Sequence, residues 1–289
     1  QQLTHGDADH LYPRIAWSPF YYFMGAGFGL VYQREDPDGS DVQVHFQQVQ
    51  SYWDWWSYFL GFAVSHDPEG AFTPDVAWSP FGYGVVWQGA AENELYFALV
   101  GSFGGHIVRP QRITYDNSVP PVRPAICWNE ADGEFAVAYQ ATSATSDNHD
   151  IWFVRIAPYG TPLAPPVRVT TDRDLQRSPD LAWTGDGYGL TWYDRRSGDN
   201  EIAFAVLDPY GTVMDGPTML TAHSGGGEAT NPAITHASVF DGVDGMTYGL
   251  AGWLAGELAG GGEFGLVWRD QASSSSAPRV HFLRLPRSD

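Results

Sequence analysis

The sequence predicts an all-β protein built as a single five-bladed β-propeller. Three observations predict it: a motif that recurs five times, a composition rich in aromatic and turn residues, and chain ends that complement each other. The chain has 12 Trp, 15 Tyr and 16 Phe, and aromatic side chains suit the half-buried surface of a sheet. Its 33 Gly and 20 Pro supply frequent turns, so long helices are not expected.

The first repeated motif is a proline followed four residues later by Trp or His. Its five copies begin near residues 13, 74, 124, 179 and 232, and these intervals match the length of a four-stranded blade with generous loops. We take each copy as the first strand, A, of a blade. The copies are Pro13-Arg-Ile-Ala-Trp17, Pro74-Asp-Val-Ala-Trp78, Pro124-Ala-Ile-Cys-Trp128, Pro179-Asp-Leu-Ala-Trp183 and Pro232-Ala-Ile-Thr-His236.

A second motif, aromatic–small–aliphatic–x–aromatic, follows each start and predicts strand B. Two further short runs, rich in β-branched and aromatic residues, predict strands C and D. The B motifs are Phe28-Gly-Leu-Val-Tyr32, Tyr83-Gly-Val-Val-Trp87, Phe135-Ala-Val-Ala-Tyr139, Tyr188-Gly-Leu-Thr-Trp192 and Phe264-Gly-Leu-Val-Trp268.

The two chain ends predict how the ring closes. Blade five stops after its C strand, near Leu285, and residues 1–12 resemble the end of a blade. We therefore expect the N-terminal strand to complete the last blade, which removes sheet edges that invite aggregation. The register inside blade five stays open, because residues 247–253 also fit a B strand.

Blade four carries the most complete repeat. It runs from Pro179-Asp-Leu-Ala-Trp183 through a Gly-punctuated turn and Arg195-Arg-Ser-Gly198 to Glu201-Ile-Ala-Phe204. At repeat level this resembles the TolB-like propeller family. The resemblance implies a propeller, often in a periplasmic or secreted setting, and it implies no particular ligand.

The charge and the apolar pattern exclude some partners. The formal net charge is −19, and so acidic a field repels phosphate backbones, which disfavours nucleic acid. No run of 18 or more apolar residues predicts a membrane span. Cys127 is the single cysteine, so no disulfide forms within the chain. A chain that begins at Gln1 without Met favours a secreted or periplasmic protein.

The predicted upper face of the propeller gathers polar side chains around the channel mouth. They follow the strand-A prolines or end the B strands, where convergent polar groups can bind a small polar ligand or a glycan. The same groups could instead cap strand ends or hold water in a filled channel. The candidate ligand-binding residues there are Arg14, Gln33, Gln88, Gln140, Tyr193 and Arg269.

Two carboxylates on that face raise an enzymatic alternative. Asp75 and Asp180 follow the prolines of non-neighbouring blades and could face each other across the axis. Glycoside hydrolysis requires such a pair, with one carboxyl held protonated. This predicts a glycosidase or a lyase as the alternative function, whereas ordinary strand-start aspartates account equally for both positions.

The sequence predicts no cofactor, although two weak metal sites are open alternatives. His5 and His66 occupy equivalent connectors and could approach each other to bind a transition metal, but they lack local zinc-motif spacing. Asp36 and Asp38 lie in an oxygen-rich loop that suits Ca²⁺, yet the calcium-binding loop pattern fails at its last position. A solvated turn is the simpler interpretation of that loop.

Aromatic insertions are predicted on the lower face, where blades one and five meet. The C-to-D connector of blade one contains Trp53, Trp55 and Trp56. They either pack on themselves as a plug or form an exposed surface for a glycan or a protein partner. We therefore expect an exported module that recognises a glycan, a peptide or a protein, with a glycosidase or lyase and an oligomeric scaffold as alternatives.

Overall fold

The computed structural model describes residues 7–18, 27–50, 61–101, 104–115, 120–142, 149–223, 226–237, 263–273 and 276–286. In these ranges the secondary structure is almost entirely strand and turn, and no helix there is long and apolar enough to cross a membrane. The strands are β1 (Asp9–Ser18), β2 (Gly27–Glu35), β3 (Val42–Gln50), β4 (Phe62–Ala63), β5 (Ala71–Ser79), β6 (Gly82–Gly89), β7 (Glu94–Val100), β8 (His106–Arg112), β9 (Pro121–Asn129), β10 (Glu134–Thr142), β11 (His149–Ile156), β12 (Val167–Arg168), β13 (Gln176–Trp183), β14 (Tyr188–Asp194), β15 (Glu201–Leu207), β16 (Val213–Met219), β17 (Glu228–Ala237), β18 (Glu263–Gln271) and β19 (Arg279–Pro286).

Strands pair with their sequence neighbours in antiparallel sheets. The sheets are β1–β4, β5–β8, β9–β12, β13–β16 and β17–β19, so the predicted five-bladed β-propeller is confirmed. Within the described ranges the last sheet has three strands. Residues 1–12 are predicted to complete this sheet, and residues 1–6 of that range lie outside the described residues. Residues 9–11 pair with β2 in the first blade, which therefore begins four residues before Pro13.

The chain divides into two compact units, Gln1–Pro179 and Asp180–Asp289, and the boundary falls inside β13. The first unit contains the first three blades, and the second contains most of the fourth blade and the fifth. Each unit buries aromatic and aliphatic side chains between its own consecutive blades.

Every motif proline is preceded by a residue in the left-handed region. Non-glycine residues rarely adopt a positive φ, and a residue before proline is normally extended. In the first, second, third and fifth blades the pairing of strands A and B also shifts register here, forming a bulge that re-aims the following side chain. The five residues, with φ between 48° and 53°, are Tyr12, Thr73, Arg123, Ser178 and Asn231.

Ring-to-ring contacts join consecutive blades. A phenylalanine on strand C packs against the first aromatic residue of the next blade's B motif. The ring centroids are 5.1 Å apart for Phe46–Tyr83, 5.4 Å for Phe97–Phe135 and 5.1 Å for Phe204–Phe264. These tilted or edge-on arrangements stabilise aromatic pairs beyond the apolar area that they bury.

The small residue of the B motif makes room for these rings. A Cβ atom added to Gly84 would lie 2.7 Å from the ring of Phe135, and one added to Gly29 would lie 2.5 Å from the ring of Tyr83. Gly84 has no positive φ, so the close approach of the ring is the reason for glycine here. The aromatic–small pattern is thus a consequence of blade-to-blade packing.

We expect Gly84→Ala to destabilise the protein by about 1–3 kcal/mol, because the ring of Phe135 must move in a close-packed core. The matched control is Gly265→Ala, where the nearest atom would lie 3.4 Å from the added Cβ. That control should be neutral or stabilising by up to ~1 kcal/mol, since alanine restricts the unfolded chain. Urea unfolding measures both, and equal effects of the two substitutions would contradict the packing account.

Candidate functional site

The first predicted catalytic candidate, Asp75, forms a link between blades. Its Oδ2 accepts a 2.8 Å hydrogen bond from the backbone N–H of Ile126 in β9, and its Oδ1 lies 3.7 Å from Nε of Arg14. Asp75 is only 8% exposed. Burial raises the pKa of Asp75 above its ordinary value, although the Arg14 charge and the backbone hydrogen bonds act against that shift.

The second candidate, Asp180, makes the equivalent contact in the other unit. Its Oδ2 accepts a 2.8 Å hydrogen bond from the backbone N–H of Ile234 in β17. Asp75 and Asp180 occupy the same position after the motif proline, and each contacts the second residue after a motif proline in another blade. The repeated contact gives both carboxylates a structural role, and this role accounts for their positions without catalysis.

Two of the predicted ligand-binding glutamines make similar contacts. The buried side chains of Gln33 and Gln140 accept hydrogen bonds from Thr73 N–H (3.3 Å) and Ser178 N–H (2.8 Å). Both donors are left-handed residues that precede motif prolines. The glutamines therefore satisfy the backbone donors of these left-handed residues.

The other predicted ligand-binding residues differ in their surroundings. Arg14 is the most accessible in the first unit, with 43% of its side chain exposed beside Asp75. Gln88 is partly buried at the end of β6. In the second unit, Tyr193 packs against the blade-five core and Arg269 donates to Gln271 at 3.3 Å. Ligand binding stays a prediction for all four.

The predicted metal candidates do not converge where the structure describes them. Asp36 is 2.7 Å from the guanidinium of Arg34, and Asp38 accepts a 3.0 Å hydrogen bond from Ser40 N–H. The hydrogen bonds from Ser40 lower the pKa of Asp38. His66 is exposed, and His5 lies outside the described residues. No group of three or more His, Cys, Asp or Glu side chains could hold a metal ion within the described ranges.

Histidines at the repeated aromatic positions pack as aromatic residues. His45 stacks on Tyr32 with ring centroids 5.7 Å apart, and His281 stacks on Trp268 at 5.8 Å. Burial, together with the Arg34 charge, lowers the pKa of His45 to about 4. His45 is therefore uncharged near neutral pH, which suits its packed position against Tyr32.

Hydroxyl groups at the ends of the D strands hold strands C and D together. The repeated motifs do not predict these contacts. Each hydroxyl accepts a backbone N–H at 2.8–2.9 Å and also donates to a Gln or Glu side chain. The hydroxyl residues and their backbone donors are Ser65 with Val44, Thr114 with Leu95, Thr170 with Ile151, and Thr221 with Ile202.

In the second unit, a histidine between two carboxylates joins blades four and five. His223 Nδ1 lies 2.9 Å from Oε2 of Glu201, and its Nε2 lies 3.2 Å from Oδ2 of Asp270. The Trp268 indole also donates to Asp270 at 3.3 Å. Burial alone lowers the pKa of His223, but the hydrogen bonds and charges of Glu201 and Asp270 outweigh it and raise that pKa.

An exposed aromatic cluster lies on the face that carries the A-to-B and C-to-D turns of the first unit. We call Phe81, Trp128 and Tyr159 the aromatic platform. The Phe81 ring is 5.9 Å from Trp128 and 5.8 Å from Tyr159, centroid to centroid. Phe81 is 42% exposed and Tyr159 is 55% exposed. The predicted cluster at Trp53, Trp55 and Trp56 lies outside the described residues.

The platform depends on a repeated turn that presents a tyrosine. Residues 157–161 close with hydrogen bonds from Ala157 N–H to Thr161 and from Gly160 N–H to Ala157, both 2.8 Å. The same turn recurs at residues 208–212, where Tyr210 is 63% exposed. Tyr159 contacts Phe81 in the first unit, whereas Tyr210 belongs to the second unit.

Comparisons with known proteins support the fold. No family model matches the chain, and no curated protein matches it. The TolB-like resemblance therefore stays a prediction. Among solved structures, an N-acetylgalactosamine deacetylase from F. plautii in complex with blood group B trisaccharide has a TM-score of 0.57 at 10% identity. That match covers 99% of this chain and 92% of the other.

Two further similar structures are named as glycosidases. A GH43 β-1,3-galactosidase with galactodeoxynojirimycin has a TM-score of 0.54 at 11% identity, covering 95% of this chain and 90% of its own. An endo-arabinase from Bacteroides thetaiotaomicron has a TM-score of 0.51 at 12% identity, covering 97% and 95%. At these identities the likeness shows a shared propeller fold.

The His223 contact predicts a pH-dependent stability. Both ring nitrogens must carry protons to donate to Glu201 and Asp270. Because folding raises the pKa above 6.5, the contact stabilises the fold below that pH and is lost as the pH rises through the folded-state pKa. The stability difference between wild type and His223→Gln should therefore be largest at acidic pH and shrink as the pH rises.

Urea unfolding across a pH series measures this difference. The matched control is His66→Gln, since His66 is exposed and its ring contacts neither of these carboxylates. A difference between wild type and His223→Gln that does not change with pH would contradict the account.

Proposed function

We propose that this propeller recognises glycans through the aromatic platform. The single observation that carries the proposal is that the exposed ring of Phe81 contacts both exposed Tyr159 and partly buried Trp128 on one face. Aromatic ring faces pack against the C–H faces of sugar rings, and the tyrosine hydroxyl adds a polar group beside the apolar surface. Contiguous exposed aromatic residues typically mark a binding surface.

The charge of the chain narrows the class of glycan. A protein with net charge −19 repels sulfated and uronic acid polymers. The favoured ligands are therefore neutral glycans. The similar structures named above include a complex with a neutral blood group trisaccharide and enzymes named for arabinan and galactoside chemistry, which supports arabinan, galactan and that trisaccharide as first probes.

If the platform binds a neutral glycan, Phe81→Ala and Tyr159→Ala should each weaken binding by about 10-fold or more, as expected for aromatic residues at the centre of an interface. Titration calorimetry with the three probes measures the affinity. The matched control is Tyr210→Ala, which removes an exposed tyrosine from the equivalent turn and should leave binding unchanged. Equal losses in Tyr159→Ala and Tyr210→Ala would contradict a specific platform.

A glycoside hydrolase is the second candidate. Two observations favour it: the shared fold with enzymes named as an endo-arabinase and a β-1,3-galactosidase, and the raised pKa of Asp75. A general acid in glycoside hydrolysis needs a carboxyl that stays protonated. Asp75 and Asp180 accept hydrogen bonds from the backbone N–H groups of Ile126 and Ile234. These bonds weigh against the catalytic role, since they engage both carboxylates in holding the fold.

Release of reducing ends from arabinan and galactan tests this candidate. A hydrolase should release sugar, and Asp75→Asn or Asp180→Asn should lower the rate by about 100-fold or more. Asparagine keeps an oxygen acceptor, so the folded state should persist. Asp174→Asn, at an exposed position, is the control. A wild-type protein that binds these polymers without releasing sugar would leave recognition as the function.

A further inference from the structure

The outermost strand of a blade has one edge that faces away from its own sheet. In the first four blades, as the structure describes them, these strands are β4, β8, β12 and β16, and each lies at the end of the strand order in its sheet. Backbone N–H and C=O groups on such an edge can pair with the edge of a second molecule. Exposed apolar side chains on or just before three of these strands add to that hazard: Ile107, Leu163 and Met214.

A proline occupies the same position on this edge in three blades. It lies four residues before the D-strand hydroxyl that accepts a backbone N–H from strand C. Blade one has Gly61 at this position, four residues before Ser65. Pro166 also lines an apolar groove beside Tyr139 and Trp152, between the second and third blades. The prolines and their hydroxyl residues are Pro110 with Thr114, Pro166 with Thr170, and Pro217 with Thr221.

The pairing of strands C and D shows which way this position points. In blade two, Ile113 N–H donates to the Leu95 carbonyl at 2.9 Å, and Gln111 pairs with Phe97. Along an antiparallel edge strand, residues that bond to the neighbouring strand alternate with residues whose N–H points away from it. Ile113 and Gln111 therefore face β7, and Pro110 occupies a position that faces away from the sheet.

The other two blades repeat this arrangement. Pro166 and Pro217 each lie three residues before a strand-D N–H that donates to strand C, as Pro110 does. Because the two sides of a strand alternate, a separation of three residues places both prolines on the outward side. The corresponding donors and acceptors are Val169 with Ile151 at 2.8 Å and Leu220 with Ile202 at 2.7 Å.

We infer that these prolines prevent the outer strands from pairing edge to edge with a second copy of this chain. Proline has no N–H, so each one removes an outward donor that an added strand would need. The position does not donate to strand C, so the blade itself loses no hydrogen bond. In β8 and β16 the pairing also shifts register beside the proline, and such a bulge bends the edge away from a straight partner strand. An oligomer of this chain would then assemble through other surfaces.

Sedimentation velocity over a range of protein concentrations tests the inference with Pro110→Thr and Pro217→Thr. Threonine suits an extended strand and restores the N–H. Each variant should associate at a concentration about 10-fold or more below that of wild type, because the restored edge adds backbone hydrogen bonds between molecules. The matched control is Pro80→Thr, at an exposed proline in the turn between β5 and β6, which should sediment like wild type.

A second substitution separates edge pairing from a loss of folding. Met214→Lys places a charge on the same exposed strand as Pro217, and lysine on an edge strand opposes pairing. Adding it to Pro217→Thr should restore wild-type sedimentation. The added lysine makes the net charge of −19 less negative, so stronger overall repulsion does not account for such a rescue. Wild-type sedimentation of both proline variants, or association that Met214→Lys does not reverse, would overturn the inference.

Discussion

The structure depends on how each blade is attached to the next. Within each unit, a strand-C phenylalanine packs on the B-motif aromatic residue of the following blade, and a B-motif glycine makes room for that aromatic ring. Side-chain oxygens then accept backbone N–H groups from another blade. Buried backbone donors must be paired, so these acceptors are required where the backbone leaves its N–H groups without a partner in its own sheet.

The same attachment changes the interpretation of the polar residues near the motif prolines. From sequence, Asp75, Asp180, Gln33 and Gln140 gather at one end of the blades and suggest a ligand site. In the structure, each satisfies a particular backbone N–H, and these contacts recur from blade to blade. Such residues are needed for the fold whatever the protein binds. The turns and the spaces between blades are therefore the better candidates for a binding surface.

The blade count, the strand order and the A and B strands could be predicted from the sequence, because a repeated motif indicates the same local structure in all five blades. The contacts of individual side chains could not. Glu201, His223 and Asp270 are far apart in the chain with no local spacing, so only the folded chain brings them together. The left-handed residues before the motif prolines contradict the ordinary preference at that position, and no propensity predicts them.

The aromatic residues of the proposed binding platform were also only partly visible in the sequence. Tyr159 and Tyr210 occupy equivalent turns, and the contact of Tyr159 with Phe81 is set by the fold of the first unit. Tyr139 and Trp152 belong to strand motifs that look like ordinary core, and the groove beside them arises from the proline-rich turn after β11. Blades with the same strand pattern therefore differ mainly in the loops that connect their strands.

The central claim is that the carboxylates after the motif prolines hold blades together. Native-state amide hydrogen exchange at Ile126 and Ile234 tests it most directly, because these N–H groups donate to Asp75 and Asp180. The account predicts exchange as slow as that of core residues such as Phe97, governed by global unfolding. Exchange at the rate of exposed turn residues would show that the carboxylates are free, and would contradict the claim.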